Sequence, residues 1–186
     1  MIGQPYGPMT PDGVLSACRF LVDTNVISAL IGKKSIEPGI RRFFDKVDEE
    51  RIYLSVMTIG EILKGIDLIP WPKDNDSIAE RQRVQANWEQ RLEALCDRFA
   101  GRIIDIDLPV ARQWGRFHAE RQRDGRPTSV TDTLIAACAH HGFLVVATTD
   151  SDFNVFGDTL TIYNPRTHTL FGREQLGPIS NVHGDA

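Results

Sequence analysis

The sequence predicts an α/β fold with a mainly parallel central sheet of four to five strands. Short apolar segments of strand length alternate along the chain with longer segments of helical periodicity, and this pattern is typical of parallel sheets covered by helices. The segment 143–148 is strongly apolar, as expected for a strand in the middle of such a sheet. At 186 residues, the chain has the length of one domain.

The first elements follow from local signals. A short apolar strand at 19–22 leads into a helix at 25–31. Pro38 and the apolar residues that follow it at spacings of three and four predict a helix over 38–49. Alternation of apolar and polar residues predicts a second strand at 51–56.

The next helix is predicted to begin at Thr58 as its N-cap. Glu61 follows three positions later, which is the spacing of a capping box, where two side chains bind each other's backbone amides. Pro70 ends this helix, and a stripe of apolar residues predicts a long helix over 77–100.

The second half of the chain repeats the alternation. Gly125-Arg126-Pro127 separates two of its helices, and Gly142 is the expected C-cap of the second. The predicted elements are a strand at 103–106, a helix at 109–122, a buried helix at 131–141, a strand at 143–148 and a fifth strand at 159–163.

The ends of the chain lack such patterns. Residues 1–18 contain Gly, Pro and Asp without periodicity, so we expect a loose N-terminal extension there. We therefore expect one domain over 19–173 and a tail over 174–186.

Composition excludes several classes of protein. Hydrophobic residues make up 41% and charged residues 25% of the chain, which is ordinary for a globular protein. The net charge of −4 argues against broad non-specific binding to nucleic acid. No segment approaches the roughly 20 apolar residues of a membrane span, so we expect no membrane association. Three Cys without a CxxC pair suggest a reducing, cytoplasmic setting.

Four acidic residues lie at the ends of predicted elements. Asp23 and Asp150 follow apolar strands, and Glu61 and Asp132 lie in the first turns of helices. The functional crevice of a parallel sheet lies beyond the carboxyl ends of its strands, so these side chains are expected to meet. Carboxylates that meet repel one another unless a cation compensates, and Mg²⁺ and similar hard cations prefer oxygen ligands. The pattern predicts an Mg²⁺ or Mn²⁺ site for phosphodiester hydrolysis.

Each acid alone also has a structural explanation. Glu61 alone is explained by the capping box, and Asp132 alone by the dipole of its helix. Asp150 and Asp152 alone fit a polar loop. Asp23 is the hardest to explain in this way, because Asp-Thr-Asn directly after an apolar strand is unusual for simple solvation. The joint pattern is therefore the specific signal.

Taken together, these segments resemble the PIN domain family, and among its members the VapC/FitB-type toxins of bacterial toxin–antitoxin pairs. The matching segments run in family order between about 19 and 165, and they are Val22-Asp23-Thr24-Asn25-Val26, Glu61-Ile62-Leu63-Lys64-Gly65, Asp132-Thr133-Leu134-Ile135-Ala136-Ala137 and Ala147-Thr148-Thr149-Asp150-Ser151-Asp152-Phe153. The resemblance implies a PIN-like three-layer α/β/α fold and an endoribonuclease dependent on Mg²⁺ or Mn²⁺. It also implies a homodimer, a small VapB/FitA-like antitoxin as partner, and binding to operator DNA through the complex with that antitoxin.

The resemblance further implies a role for each matched residue. The acids that match the catalytic, metal-binding centre are Asp23, Glu61, Asp132 and Asp150. Asp152 matches a further acid that some relatives use, and which of Asp150 and Asp152 faces the metal stays open.

Three small polar residues also match the family pattern, and two segments of the chain differ from it. Thr24, Asn25 and Thr148 match positions that support the acids. The extension before residue 19 is longer than the family usually shows, and the segment 70–76 adds a loop that contains Trp and Pro.

A row of arginines precedes Gly125. Arg112, Arg116 and Arg123 lie one or two helical turns apart. They are either a solvated helix face or a track for RNA phosphates, in which case RNA binding would be sensitive to salt.

Two other functions stay open on sequence grounds. A phosphatase or phosphotransfer protein on an α/β scaffold would also have an acidic pocket, but Asp23 is followed by Thr24-Asn25 rather than by the Asp-x-Asp of haloacid dehalogenases. A PIN-fold module without a metal site is the other possibility, and the presence of all four acids argues against it.

Overall fold

The computed structural model describes residues 10–32, 35–70 and 76–172. Within them, six strands form one sheet, and they are β1 Phe20–Val22, β2 Ile52–Ser55, β3 Ile103–Ile104, β4 Val145–Ala147, β5 Thr161–Asn164 and β6 Thr169–Gly172. The order across the sheet is β3-β2-β1-β4-β5-β6. Neighbouring strands are parallel except for β5 and β6, which are antiparallel.

Helices cover both faces of this sheet. They are α1 Pro11–Ala17, α2 Thr24–Ile31, α3 Pro38–Lys46, α4 Val56–Asp67, α5 Asp76–Arg98, α6 Leu108–Arg123 and α7 Val130–His141, with short 3₁₀ helices at Glu49–Arg51 and Ser151–Phe156. Along β1, Phe20 and Val22 join an apolar cluster with α1 to α5, whereas Leu21 joins a second cluster with α6 and α7. Side chains that alternate in this way place one helical layer on each face, which confirms the three-layer α/β/α arrangement.

The expectation of four to five strands was wrong, because β6 adds a sixth. Its side chains are mostly exposed, so the segment lacks the apolar alternation that marks a strand in the sequence. Strand β6 forms through backbone pairing with β5, in the register that places Thr161 opposite Gly172. Gly172 has φ of +107°, and a Cβ there would lie 2.1 Å from the carbonyl oxygen of Leu160, so only glycine fits at the end of this strand.

The expectation that residues 1–18 form a loose extension was also wrong for their described part. Helix α1 begins after Thr10, whose side chain caps it. Val14 and Leu15 are buried in the first apolar cluster, so α1 belongs to the domain core. Its seven residues are fewer than two complete turns, which is too short for helical periodicity to show in the sequence.

Helix α4 begins earlier than predicted. The N-cap is Ser55, whose Oγ accepts a 3.1 Å hydrogen bond from the amide of Met57. Thr58 is therefore inside the helix, and the prediction of an N-cap at Thr58 with a capping box to Glu61 was wrong. Glu61 lies five residues beyond the first residue of α4, which is past the first turn, so its carboxylate has no capping role.

Two further expectations concern parts of the chain outside the described residues. The tail over 174–186 lies beyond them, as do residues 1–9 and most of the segment 70–76. Across the described ranges, none of the helices combines the length and apolar character that a membrane crossing requires.

The carboxyl ends of three parallel strands position the candidate site. Strands β1, β2 and β4 lie side by side in the middle of the sheet. Val22 pairs with Ala147 at the ends of β1 and β4, so Asp23 and Thr148, which follow these residues, emerge together at one edge. Helix α4 starts at the same edge directly after β2.

Candidate active site

Asp23 is the buried carboxylate at the centre of this edge. It follows β1 directly and is the N-cap of α2, where its Oδ1 accepts a 2.7 Å hydrogen bond from the amide of Thr24. Only 5% of its surface is exposed. The direct passage from strand to helix therefore places an acid below the surface, at the positive end of a helix dipole.

Two polar side chains hold the second oxygen of Asp23. Its Oδ2 accepts hydrogen bonds of 2.6 Å from Asn25 Nδ2 and of 2.8 Å from Thr148 Oγ1. Asn25 Oδ1 in turn accepts a 3.1 Å bond from the amide of Thr149. These bonds tie the loop after β4 to the start of α2 and restrict the rotation of the Asp23 carboxyl. Thr24, Asn25 and Thr148 thus all contact the buried acid.

Burial and neighbouring acids make Asp23 harder to ionise. Burial is the largest influence and raises the pKa of Asp23 from 3.8 to about 6, and the charges of Glu61 and Asp132 also act to raise this pKa. The hydrogen bonds from Thr148 and Thr24 act in the opposite direction, because they stabilise the charged form. The structure therefore brings three of the predicted acids within electrostatic range of one another.

Glu61 reaches this group from a different helix. Thr24 Oγ1 donates a 2.5 Å hydrogen bond to Glu61 Oε2. The same residue donates its amide to Asp23, so Thr24 connects the two carboxylates. The sequence placed Thr24 among the supporting positions, but its partner could not be inferred because α2 and α4 are separate elements.

Asp132 enters the site at the start of α7. The N-cap of α7 is Ser129, whose Oγ accepts a 2.9 Å bond from the amide of Asp132. This bond orients the first turn, and the carboxylate remains partly exposed. Ser129 was missed in the sequence, although a Ser three positions before an acid at the start of an apolar helix is a recognisable N-cap signal.

Asp150 and Asp152 take different positions after β4. The amide of Asp150 donates a 3.0 Å bond to Thr148 Oγ1, which contacts Asp23. Asp150 Oδ1 accepts a 2.9 Å bond from the amide of Asp152 and caps the 3₁₀ helix there. Asp150 is therefore connected to Asp23 through Thr148, and Asp152 is exposed on the short helix.

The donor chemistry of this group fits a hard divalent cation. The site offers carboxylate oxygens, and among its hydrogen bonds to described residues Asp23 accepts one bond at Oδ1 and two at Oδ2, so Oδ1 retains acceptor capacity. Mg²⁺ and Mn²⁺ take such ligands, and Mg²⁺ keeps several waters. Among residues 10–32, 35–70 and 76–172, no three His, Cys, Asp or Glu side chains are already grouped as a ligand set. Side-chain adjustment or bridging water would have to complete the coordination.

The three arginines of the predicted track lie on α6. Arg112, Arg116 and Arg123 are exposed, and Arg123 Nε donates a 3.3 Å bond to the carbonyl of Ala119 within its own helix. This exposure is compatible with a solvated face and with contact to RNA phosphates.

Comparisons with known proteins show the family to which the chain is similar. The PIN domain family model matches residues 20–158. Toxin FitB of Neisseria gonorrhoeae is 32% identical over 145 residues, which cover 78% of this chain and 96% of FitB. VapC ribonuclease Y4jK of Sinorhizobium fredii is 31% identical over 147 residues, covering 78% of this chain and 96% of that protein.

A solved structure has the same fold. The structure of FitAB bound to an IR36 DNA fragment superposes with a TM-score of 0.63 at 28% identity and covers 79% of this chain and 95% of the matched chain. The part of this chain that matches the family model includes all four acids together with β1, β2 and β4.

Proposed function

This chain belongs to the PIN domain family, and we propose that it is a metal-dependent endoribonuclease that acts as the toxin of a type II toxin–antitoxin pair. The similarity to a protein named as a VapC ribonuclease and to one named as toxin FitB supports both parts of the proposal. The site described above supplies the chemical argument.

One observation carries the proposal. Asp23 is a buried carboxylate with two further carboxylates, Glu61 and Asp132, close enough to raise its pKa. A protein without need of such a group would gain stability by separating the charges, because burial of an uncompensated acid is costly. A bound cation would offset the cost of burying Asp23 beside these carboxylates.

We propose that Asp23, Glu61, Asp132 and Asp150 hold Mg²⁺ or Mn²⁺, directly or through water, with Asp152 as an outer residue. The metal, when bound, would supply an activated water and stabilise negative charge on the phosphate that is attacked.

The chain's own residues orient the carboxylates. Asn25 and Thr148 fix the Asp23 carboxyl through its Oδ2, and Thr24 fixes Glu61. These bonds hold the ligands in place before RNA arrives, so little reorganisation is required during hydrolysis. Burial beneath the sheet edge also lowers the local dielectric, which strengthens every interaction with a charged ligand.

The proposed partners follow from the same relatives. We propose a small VapB/FitA-like antitoxin, a homodimer of the toxin, and operator DNA that binds only through the toxin–antitoxin complex. The FitAB structure with DNA supports the last of these by similarity. Because the proposed substrate is cellular RNA, we place the activity in the cytoplasm.

A ribonuclease assay of two isosteric variants tests the proposal. Asp23→Asn and Asp132→Asn should each abolish metal-supported cleavage of RNA while circular dichroism shows a retained fold. Asp158→Asn is the matched control, since Asp158 is an exposed acid outside the carboxylate group, and it should cleave like the wild type. Undiminished cleavage by both site variants would refute the assignment. Growth arrest on expression, relieved by a small protein encoded beside the toxin, would test the biological role.

A further inference from the structure

A second polar cleft lies beside the carboxylates, between the loop after β4 and the β5–β6 hairpin. Its volume is about 150 Å³. Thr148 and Asp150 form the wall nearest the site, and Asn154, Asn164 and Phe171 are among the residues on the other sides. Thr148 also donates a hydrogen bond to Asp23, so the cleft and the acidic site share a wall.

The charges of the cleft do not suit a phosphate group. Among the described residues that line it, Asp150 is the only charged one, and none is Lys or Arg. A negative wall repels an anion. The cleft is therefore expected to bind a neutral group, and its amide and hydroxyl side chains favour one with several hydrogen-bonding atoms.

The hydrogen-bonding groups of the cleft are partly free. Asn164 Oδ1 accepts bonds from the amides of Arg166 and Thr167, which leaves its Nδ2 as a donor. Asp150 Oδ1 accepts from Asp152, which leaves its Oδ2 as an acceptor. The exposed Asn154 side chain forms no hydrogen bond to other described residues, and it offers one donor group and one acceptor.

Size and shape narrow the choice of ligand. An apolar cavity of about 150 Å³ in another protein binds benzene, so a cleft of this volume accommodates a six-membered aromatic ring. Phe171 is 49% exposed at the rim, and exposed aromatic rings stack against nucleobases in proteins that bind single strands. Paired donors and acceptors in the cleft match the edge of a base.

We propose that this cleft binds a pyrimidine base of the substrate RNA, in the nucleotide next to the scissile phosphate, and so sets sequence preference. The inference rests on the proposed ribonuclease function. The wall from β5 and β6 lies beyond residue 158, where the match to the family model ends. The cleft therefore combines residues of the matched region, such as Asn154, with the C-terminal hairpin beyond it.

Binding of nucleosides to the metal-free protein tests the cleft without any cleavage. In ¹⁵N-detected NMR titrations, cytidine or uridine should shift the side-chain amide signals of Asn154 and Asn164, while adenosine and inorganic phosphate should not. Asn154→Ala should weaken binding about tenfold, and Asp158→Ala, an exposed neighbour outside the cleft, should leave it unchanged. Equal shifts with adenosine, shifts with phosphate alone, or no shifts with pyrimidines would each overturn the proposal.

Cleavage of an RNA pool then links the cleft to preference. Sequencing of the products from a pool randomised around the cut should show a pyrimidine enriched at one flanking position with the wild type. Asn154→Ala and Phe171→Leu should reduce this enrichment among the products that they still form, whereas Asp158→Ala should retain it. Unchanged enrichment in both variants would overturn the proposal. A wild type that binds pyrimidines in the cleft but cleaves no RNA would refute the ribonuclease function and leave the cleft assignment standing.

Discussion

The hydroxyl of Thr24 donates a 2.5 Å hydrogen bond to Glu61 Oε2, although the two residues lie 37 positions apart in the chain. This bond joins the start of α2 to the middle of α4. It also explains why the Glu61 side chain points toward Asp23 rather than into solvent, since Glu61 takes no part in capping α4.

Removal of the Thr24 hydroxyl should therefore impair catalysis without unfolding the protein. We expect Thr24→Val to lower the rate of RNA cleavage by about 10- to 100-fold, the usual effect of removing a residue that orients a metal ligand. Thr24→Ser keeps the hydroxyl and should restore most of the rate. Ser28→Ala is the matched control, because the Ser28 hydroxyl donates to a backbone carbonyl of its own helix. A Val variant as active as the Ser variant would contradict the role of this bond.

The free energy of unfolding of the metal-free protein should fall as pH rises, because Asp23 becomes charged in its buried position. Its folded pKa of about 6 lies above the usual value of 3.8, so between these values the folded state holds a proton that the unfolded state has released. Its contribution to stability is complete below about pH 3.8 and disappears as pH rises through about 6. At neutral pH the burial of the charged form costs roughly 3 kcal/mol.

Asp23→Asn should accordingly be more stable than the wild type at pH 7.5, by about 1–3 kcal/mol, because the amide is neutral but has one acceptor oxygen fewer. The gain should shrink at pH 4.5. Urea unfolding in EDTA at both pH values measures it. A variant that is less stable than the wild type at pH 7.5 would show that the carboxylate stabilises the fold, contrary to this expectation.

Divalent cations should stabilise the wild type through the same carboxylates. At a Mn²⁺ concentration about 100 times its dissociation constant, the free energy of unfolding should rise by about 2.7 kcal/mol. Glu61→Gln and Asp132→Asn should reduce this gain, and Asp158→Asn should keep it. Calorimetric titration of metal-free protein gives the dissociation constants directly. Equal Mn²⁺ binding by all four proteins would place the ion elsewhere.

Helix α1 should contribute to global stability, contrary to the expectation from composition. Leu15 is 2% exposed, and Leu15→Ala in such a position costs about 2–5 kcal/mol. Ser16→Ala on the exposed side of the same helix should change stability by less than about 0.5 kcal/mol. The free energy of unfolding of both variants, measured in urea, distinguishes an integral helix from a dispensable extension. In a dispensable extension, neither change would lower stability more than the other.

Charge reversal on α6 distinguishes a track for RNA phosphates from a solvated helix face. Arg116→Glu should weaken binding of single-stranded RNA in EDTA, and the slope of log K against log salt should become shallower by about 0.7 for each phosphate that the protein no longer neutralises. Arg41→Glu, on the exposed part of α3, makes the same change of charge elsewhere and is the matched control. Equal affinities and slopes for the two variants would favour a solvated helix face.

Local signals were enough to predict much of the site. Asp23 follows an apolar strand and Asp132 opens an apolar helix, and both positions depend on residues within a few places in the chain. Glu61 was also selected, but for an incorrect structural reason, because the N-cap at Ser55 and the hydrogen bond from Thr24 depend on where β2 ends and how α2 lies against α4.

The sequence by itself determined the α/β class, the order of most elements and which acids belong to the candidate site. These features depend on strand–helix alternation and residue type, which can be recognised within short segments of the chain. Tertiary structure alone decided that α1 joins the core, that β6 extends the sheet and that Asp150 rather than Asp152 lies next to the Asp23 contacts. The burial of α1 and the bond from Thr148 to Asp23 depend on contacts between segments distant in the chain, whereas β6 depends on backbone pairing with the adjacent strand β5. Burial is also what raises the pKa of Asp23.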